Sequence, residues 1–467
     1  MNASRLDAVD VGAHRCRTMP GPAPPPPTRR NWLRHTALGA GVLGGAWLAR
    51  TFWGTVQEEA IEAGLAPGRE RGPRGPFGPL RRDPGGILDL PEGFTYRVID
   101  RRGDPMDDGF VTPGRYDGMA CFDGPEPGRW TLLRNHELGR GMDELGPAPD
   151  GRRIENAYRP GMPGGVTRVI VDATTLAKRS ANLVLTGTSL NCAGGPSPWG
   201  WLSCEESVER DHGYVFVCDP LASQVAPPHR VPAFGRFRHE AACVDASRGL
   251  VYLTEDREGS CLYRFVPHDP AVPFEGRLEA MRVRGRARFR TDTQLRPGQV
   301  VEIDWVPVRD PDPDDDTVRV AAQREGAAIV RRGEGIAFAE ESGRPVVVLS
   351  ATEGGQARLG QILRLDPEGD GGTLSVIAES ADQSDFDMPD NLVMSPHGHL
   401  YFCEDGHARN YVRGIGPDGR IYDLARNRLS RSELVGVCFS PDGSTMFVSI
   451  QQESVLLGIR GPWSATA

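Results

Sequence analysis

Short apolar runs broken by polar positions recur along the chain from about residue 90, and they are too short for typical helices. Most of these runs open with an acidic residue and a small residue, so the same two-residue head precedes one run after another. Short apolar runs bounded by turn residues predict β-strands. The heads are Asp117-Gly118, Glu240-Ala241, Glu334-Gly335 and Asp390-Asn391, with a fainter copy at Val435-Gly436 preceded by Glu433.

A second apolar run follows each head after a turn, and it ends in polar or acidic residues. Such a unit, repeated with one design, is typical of radial or stacked all-β architectures. The ends are Asn135-His136-Glu137, Cys204-Glu205-Glu206, Thr254-Glu255-Asp256, Ala351-Thr352-Glu353, Cys403-Glu404-Asp405 and Gln451-Gln452-Glu453.

About six such units fit one β-propeller, in which radial sheets surround a channel. We therefore predict an all-β fold, a six-bladed β-propeller over residues 90–460. Two β-sandwiches are the alternative, but they would not place the same dipeptide at the head of successive units. Residues from about 270 to 328 break the period and are highly charged, which indicates an insertion between blades.

The first part of the chain predicts a targeting signal rather than a folded domain. Arg29-Arg30 precedes a Gly/Ala/Leu run at residues 37–49 that is short for a membrane span. This pattern resembles a twin-arginine export signal. We expect residues 1–54 to be that signal with an extension, and residues 55–89 to be a linker. The twin-arginine export machinery would then deliver the protein to the periplasm or beyond, and an uncleaved signal would retain it at the membrane.

Composition narrows the possible partners. The chain of 467 residues has a formal charge of -9, which argues against binding to the nucleic acid backbone because that binding needs clustered Lys and Arg. Its 58 glycines and 40 prolines favour short strands joined by tight turns over long helices. We expect a globular protein that binds no nucleic acid.

The repeated acids carry the candidate chemistry. In a propeller, the innermost strand of each blade reaches the channel, so acids repeated there converge on one axial volume. Their mutual repulsion and desolvation favour bound cations. Carboxylates suit calcium, and an added thiolate suits a transition metal. The alternative is that these acids cap turns and face solvent.

One segment is more specific than the repeat. The run Asn191-Cys192-Ala193-Gly194-Gly195 precedes Pro198-Trp199-Gly200 and then Cys204-Glu205-Glu206. This arrangement is similar to the signature of the PhoX-type alkaline phosphatases. Further matches are Arg134-Asn135-His136-Glu137, Gly235-Arg236-Phe237-Arg238-His239-Glu240, Arg332-Gly333-Glu334 and Pro389-Asp390-Asn391.

The resemblance implies a six-bladed propeller that holds iron and calcium and hydrolyses small phosphate monoesters outside the cytoplasm, as a monomer. It assigns Cys192, Glu240 and Glu334 to iron. It assigns Arg332 and Asn135 to the substrate phosphate. The residues that it implies for calcium are Glu137, Glu206, Asp390 and Glu404.

This sequence departs from the family signature at two points. The signature is one residue shorter between Gly200 and Trp201 than we expect, and Ser197 stands in the place of a threonine. The substrate preference and the metal complement therefore stay open.

Two other functions remain as alternatives. A calcium-dependent propeller lactonase also lines its axis with acids, and a non-catalytic binding propeller would use metals only for stability. The lactonase has no need for Cys192 or for an arginine at the position of Arg332, and the binding propeller would lose thermal stability on chelation but turn over no phosphate or lactone. Motifs for serine-nucleophile catalysis, phosphate-binding loops and dinucleotide binding are absent from the sequence.

Overall fold

The computed structural model describes residues 75–463, and strands make up nearly half of this range. The predicted export signal lies outside the described residues. Within residues 75–463, no helix has both the length and the apolar character needed to cross a bilayer. The helical elements are α1 (Thr291–Gln294), α2 (Val318–Arg324) and two 3-10 turns at Asp143–Leu145 and Pro232–Phe234.

The strands follow one another with short connections, in the order that antiparallel meanders require. In chain order they are β1 (Leu80–Arg81), β2 (Leu88–Pro91), β3 (Thr95–Arg101), β4 (Tyr116–Asp123), β5 (Arg129–His136), β6 (Gly164–Asp172), β7 (Lys178–Thr188), β8 (Asn191–Ser197), β9 (Gly200–Glu205), β10 (Val215–Cys218), β11 (His229–Val231), β12 (His239–Asp245), β13 (Leu250–Glu255), β14 (Tyr263–Pro267), β15 (Gly276–Val283), β16 (Val300–Pro307), β17 (Gly333–Glu341), β18 (Arg344–Ala351), β19 (Gln361–Glu368), β20 (Gly371–Glu379), β21 (Pro389–Met394), β22 (Leu400–Glu404), β23 (Tyr411–Ile415), β24 (Ile421–Asn427), β25 (Leu434–Phe439), β26 (Thr445–Ile450) and β27 (Val455–Arg460).

These strands form five antiparallel sheets in a propeller-like arrangement, which confirms the all-β prediction. Three sheets have four strands, in the orders β4-β5-β6-β7, β11-β10-β9-β8 and β25-β26-β27-β3. A six-stranded sheet has the order β1-β2-β24-β23-β22-β21. Its edge strands β1 and β2 come from the segment predicted as a linker. A nine-stranded sheet has the order β12-β13-β14-β15-β16-β20-β19-β18-β17.

The sheets number five rather than the predicted six because of one strand. β16 pairs with β15 on one side and with β20 on the other, so hydrogen bonds join two four-stranded groups into the nine-stranded sheet. The segment of about residues 270–328, predicted as an insertion, supplies β15, β16 and both helices.

Six strands form a ring around a central cavity. The strands β4, β8, β12, β17, β21 and β25 contact one another in this order, and β25 contacts β4 to close the ring. All six line one cavity of about 410 Å³, which is mostly apolar. The ring is also closed at its edge, because β3 from the start of the fold pairs with β27 at its end.

Each of the six ring strands carries a β-bulge near its start, where two residues oppose one residue of the next strand. Bulges re-aim side chains and are common beside functional sites. The acid-plus-small heads fall in these bulges. The bulge residues are 117–118, 192–193, 240–241, 334–335, 390–391 and 436–437.

Close approach between neighbouring bulges explains the two heads whose second residue is glycine. A Cβ on Gly118 would lie 2.5 Å from the Cα of Ala193, and a Cβ on Gly335 would lie 2.6 Å from the Asp390 carbonyl oxygen. A side chain at either position would push two ring strands apart. These two heads therefore combine one side chain at the axis with one position that must stay small.

We predict that Gly118→Ala lowers stability by about 1–3 kcal/mol, because its methyl group would overlap backbone atoms of Ala193. Gly259→Ala is the matched control, since an added Cβ there meets no atom within 4 Å. Thermal unfolding of both variants measures the effect. Equal midpoints for the two variants would contradict the close-packing explanation.

Candidate active site

The first bulge residue of each ring strand forms an inner level at the axis, and five of these six residues carry a side chain. They are Asp117, Cys192, Glu240, Glu334 and Asp390, and the sixth is Gly436. Glu240, Glu334 and Asp390 each offer an oxygen atom, and these atoms lie within 4.8 Å of one another. All three side chains are buried. Three carboxylates at this spacing could hold a metal ion.

An outer level lies at the ends of the second strands. In five units, the residue that follows this strand donates its backbone N–H to the carbonyl two positions before the inner-level residue. The repeated hydrogen bond fixes these residues at equivalent positions. The bonds are Glu137 to Arg115 at 2.9 Å, Glu206 to Leu190 at 2.8 Å, Asp256 to Arg238 at 3.3 Å, Thr352 to Arg332 at 2.9 Å and Asp405 to Met388 at 2.9 Å.

Cys192 is the only thiol among the inner-level residues, and it lies where the inner and outer levels meet. Cys192 of the inner level and the outer carboxylates Glu137 and Glu206 bring ligand atoms within 4.8 Å of one another. The predicted ligands are thus brought together, but in different groups from those that the resemblance implied. Cys192 lies with Glu137 and Glu206, whereas Asp390 lies with Glu240 and Glu334.

Glu404 is the predicted ligand that lies outside both groups. Its carboxylate accepts hydrogen bonds from Asp387 N–H at 3.0 Å, Tyr411 N–H at 3.1 Å and Arg413 Nε at 2.8 Å. Successive side chains of a strand point to opposite faces, so the next residue, Asp405, has the outer-level position. Glu404 therefore stabilises its sheet, while Asp405 lies at the axis.

The same alternation occurs in the other units. Glu205 accepts hydrogen bonds from Gly213 N–H at 2.8 Å and His212 Nδ1 at 2.7 Å, while Glu206 lies at the axis. Glu255 accepts from the Tyr263 hydroxyl at 2.8 Å. In each acidic pair, the first residue supports the sheet and the second reaches the outer level.

Asn135 has no free hydrogen-bonding capacity. Its amide nitrogen donates to the carbonyls of Cys192 at 3.1 Å and Ala193 at 2.6 Å. Its oxygen accepts from Trp201 Nε1 at 2.8 Å and Ser203 Oγ at 2.9 Å. The amide can make about four hydrogen bonds, so the predicted contact with a substrate phosphate has no donor left. Asn135 instead positions the Cys192 bulge.

Two other units have a similar side-chain hydrogen bond from one bulge region to the backbone of the next bulge, and we call these hydrogen bonds tethers. The Thr254 hydroxyl donates to the Glu334 carbonyl at 2.5 Å, and the Ser350 hydroxyl donates to the Asp390 carbonyl at 2.8 Å. Thr254 and Ser350 oppose the bulges of their own sheets, as Asn135 does. These three residues hold Cys192, Glu334 and Asp390 through their backbones.

Arg332, predicted to bind the substrate phosphate, lies beside the outer-level acid Asp256. Its Nε and Nη2 bind both oxygens of Asp256 at 2.8 and 3.0 Å, and Nη2 also donates to Glu334 at 2.7 Å. Its backbone has φ 47, which is strained for a residue with a side chain. Within the described range, Nη1 makes no hydrogen bond, so this nitrogen can donate to a ligand.

Glu240 is the clearest sign that a cation belongs here. It is 1% exposed, and neither of its carboxylate oxygens has a hydrogen-bond partner among the described residues. Burial, followed by the charge of Glu334, raises the pKa of Glu240 well above its usual range. A buried carboxylate without a partner is costly unless it is protonated or binds a cation.

The other acids are shifted in the same direction. Burial is the first cause in each, and neighbouring carboxylates add to it. It raises the pKa of Glu137 to about 7, of Glu206 to about 8 and of Asp390 to about 8. Burial and the charge of Asp117 also raise the pKa of the Cys192 thiol well above its usual range. Cations would reverse these shifts.

Four further acids lie at the axis, although the family resemblance assigned them no role. Their sequence signal is position alone, as the second acid of a strand end, the first residue of a head or, for Glu433, the acid that precedes a head. Electrostatic contacts join them to the assigned acids. They are Asp117, Asp256, Asp405 and Glu433.

We predict that neutralising Glu404 and neutralising Asp405 affect different properties of the protein. Glu404→Gln weakens the partner of Arg413 and lowers stability by up to about 3 kcal/mol, with unchanged bound metal. Asp405→Asn removes an axial charge and lowers bound metal without that loss of stability. Elemental analysis and thermal unfolding of both variants separate the roles. Loss of metal in the Glu404 variant alone would contradict the assignment.

We predict that protein stripped of metal loses stability as the pH rises from 6.5 to 8. The folded state binds more protons than the unfolded state there, because the pKa values of Glu137, Glu206 and Asp390 are raised to about 7 or 8. Each group contributes up to about 1.4 kcal/mol per pH unit. Unfolding midpoints across this range, beside metal-loaded protein, test the sign. A midpoint that rises with pH in the stripped protein would refute it.

Comparison with known proteins identifies a family for this chain. The family model of the alkaline phosphatase PhoX matches residues 75–453. No curated protein matches the chain. Among solved structures, Pseudomonas fluorescens PhoX in complex with vanadate, a transition state analogue, has 18% identity and a TM-score of 0.62, covering 80% of this chain and 96% of that chain. A gluconolactonase from Xanthomonas campestris has 13% identity and a TM-score of 0.44, covering 84% of this chain and 99% of that chain. The family match spans most of the described fold, and the chain belongs to the alkaline phosphatase PhoX family.

Proposed function

We propose that this chain hydrolyses small phosphate monoesters at a metal centre on the propeller axis. The observation that carries the proposal is Glu240, a buried carboxylate without a hydrogen-bond partner in the described range, next to Glu334 and Asp390. Arg332 lies beside the same group and pairs with Glu334. A cation site and a guanidinium in contact are the elements that phosphoryl transfer requires.

The donor set supports iron and calcium. Carboxylate oxygens are the ligands that calcium prefers, and a thiolate among them favours a transition metal. Glu240, Glu334 and Asp390 would form one binding group, and Cys192, Glu137 and Glu206 would form the other. Thiolate ligation would also explain why the only cysteine of the inner level lies next to two carboxylates.

The residues of the chain bind and orient the substrate. Bound cations would supply Lewis acidity toward the phosphoryl oxygens. Arg332 binds the phosphoryl group through Nη1, which its acidic partners leave free. Asp256 holds that guanidinium in place through both oxygens. Asn135 acts one step further away, because it positions the backbone of the Cys192 loop.

The finer features of the fold and the location belong to the same proposal. The bulges of six ring strands support a six-bladed propeller, in which the nine-stranded sheet counts as two blades joined by β16. The Arg29-Arg30 pattern supports export by the twin-arginine machinery to the periplasm or beyond. We propose that the protein acts there as a monomer on small phosphate esters.

We predict that the purified protein hydrolyses p-nitrophenyl phosphate at alkaline pH with added calcium, and that a chelator abolishes turnover. Cys192→Ala should lower kcat/KM by more than about 100-fold, because it removes a ligand rather than a supporting group. Cys121→Ala is the matched control, since Cys121 is also partly buried but lies outside both ligand groups.

The outcomes of this assay are distinct. Calcium-dependent turnover that is lost with chelator and in Cys192→Ala supports the proposal. Turnover of lactones, but of no phosphate ester, by protein that contains metal would refute it in favour of a lactonase. Well-folded protein that binds no metal would refute the metal centre itself.

A further inference from the structure

Arg238 and Arg332 have the same position in the repeat, two residues before the inner-level acids Glu240 and Glu334. The carbonyl of each accepts the outer-level hydrogen bond, from Asp256 at 3.3 Å and from Thr352 at 2.9 Å. This equivalence places the two arginines at the same level, next to the neighbouring ring strands β12 and β17.

Asp256 connects the two arginines. Its backbone N–H binds the carbonyl of Arg238, and its carboxylate binds the guanidinium of Arg332 through both oxygens. The Arg238 Nη1 donates to Glu206 at 3.0 Å. Each guanidinium therefore pairs with one outer-level acid, Arg238 with Glu206 and Arg332 with Asp256.

Both guanidiniums keep donors that no described residue uses. The Nε of Arg238 is buried and has no hydrogen-bond partner, and its Nη2 likewise donates to no residue in the range 75–463. A buried donor without an acceptor costs about 1–3 kcal/mol, so an acceptor is expected there. The side chains of Arg238 and Arg332 are 35% and 21% exposed, so a ligand can reach them.

We propose that Arg238 is a second phosphate-binding residue, which holds the phosphoryl oxygens together with Arg332. The proposal deepens the phosphatase function above and rests on it. The edge formed by Nε and Nη2 matches two oxygens of a tetrahedral oxyanion. A second guanidinium also offsets the repulsion between a phosphate dianion and the outer carboxylates.

The test compares Arg238→Ala, Arg238→Lys and Arg238→Gln with wild type. Loss of a charge-assisted bidentate contact predicts a rise in KM, and weaker inhibition by vanadate and inorganic phosphate, of about 10- to 100-fold for alanine. Lysine keeps the charge but not the fork, so its effect should be intermediate. Arg140→Ala is the control, because Arg140 pairs with Glu209 in an exposed ion pair.

Arg238→Gln separates phosphate binding from simple support of Glu206. Glutamine can still donate one hydrogen bond to Glu206, but it lacks the second edge and the charge. We expect it to retain the wild-type metal content and to show the weakened inhibition. If Arg238→Gln has the wild-type KM and inhibition constants, the proposal is wrong. It is also wrong if Arg238→Ala loses metal in proportion to its loss of activity while its KM is unchanged.

Direct binding distinguishes this inference from the proposed function. Calorimetry with vanadate and inorganic phosphate on the metal-loaded protein needs no turnover. Wild type that binds these anions without hydrolysing esters refutes the phosphatase proposal, while weaker binding by Arg238→Ala still supports the anion site. Wild type that binds neither anion, or variants that bind as wild type does, overturns the role of Arg238.

Discussion

Hydrogen bonds between neighbouring bulges are the interaction on which the axial site depends. Asn135, Thr254 and Ser350 each oppose a bulge in their own sheet and bind a backbone carbonyl in the next bulge. Carboxylates that repel one another would otherwise move apart or rotate toward solvent. By fixing backbone rather than carboxylate atoms, the tethers leave the oxygens free to bind a ligand.

The site divides its chemical tasks between two levels. The inner level is mostly buried, with Glu240, Glu334 and Asp390 close together, so it has the stronger demand for cations. The outer level is partly exposed and contains the guanidinium partners of its acids. Charges of both signs thus meet at the mouth, while the interior is acidic. This distribution of charge fits a centre in which the inner level holds metal and an anion enters from the side of the outer level.

The sequence allowed prediction of features that repeat locally. The acid-plus-small heads predicted the inner level, because each head can be recognised from two adjacent residues alone. The choice between Glu404 and Asp405 depended on strand register, and a shift of one residue exchanges the two faces. The joining of two sheets by β16 depended on pairing between distant segments. The commitment of the Asn135 amide to four partners also required the neighbouring strand, which residue type alone does not specify.

The pairing of β3 with β27 also constrains when the centre can assemble. β3 precedes all six ring strands along the chain and its partner β27 follows all of them, so this pairing requires every ring strand to have been made. Joining ends this far apart in sequence has a high entropic cost, which is recovered only when the last sheet packs. A nascent chain therefore presents acids without a closed ring around them. The closed ring around the candidate ligands therefore forms only after β27 has been synthesised and has paired with β3.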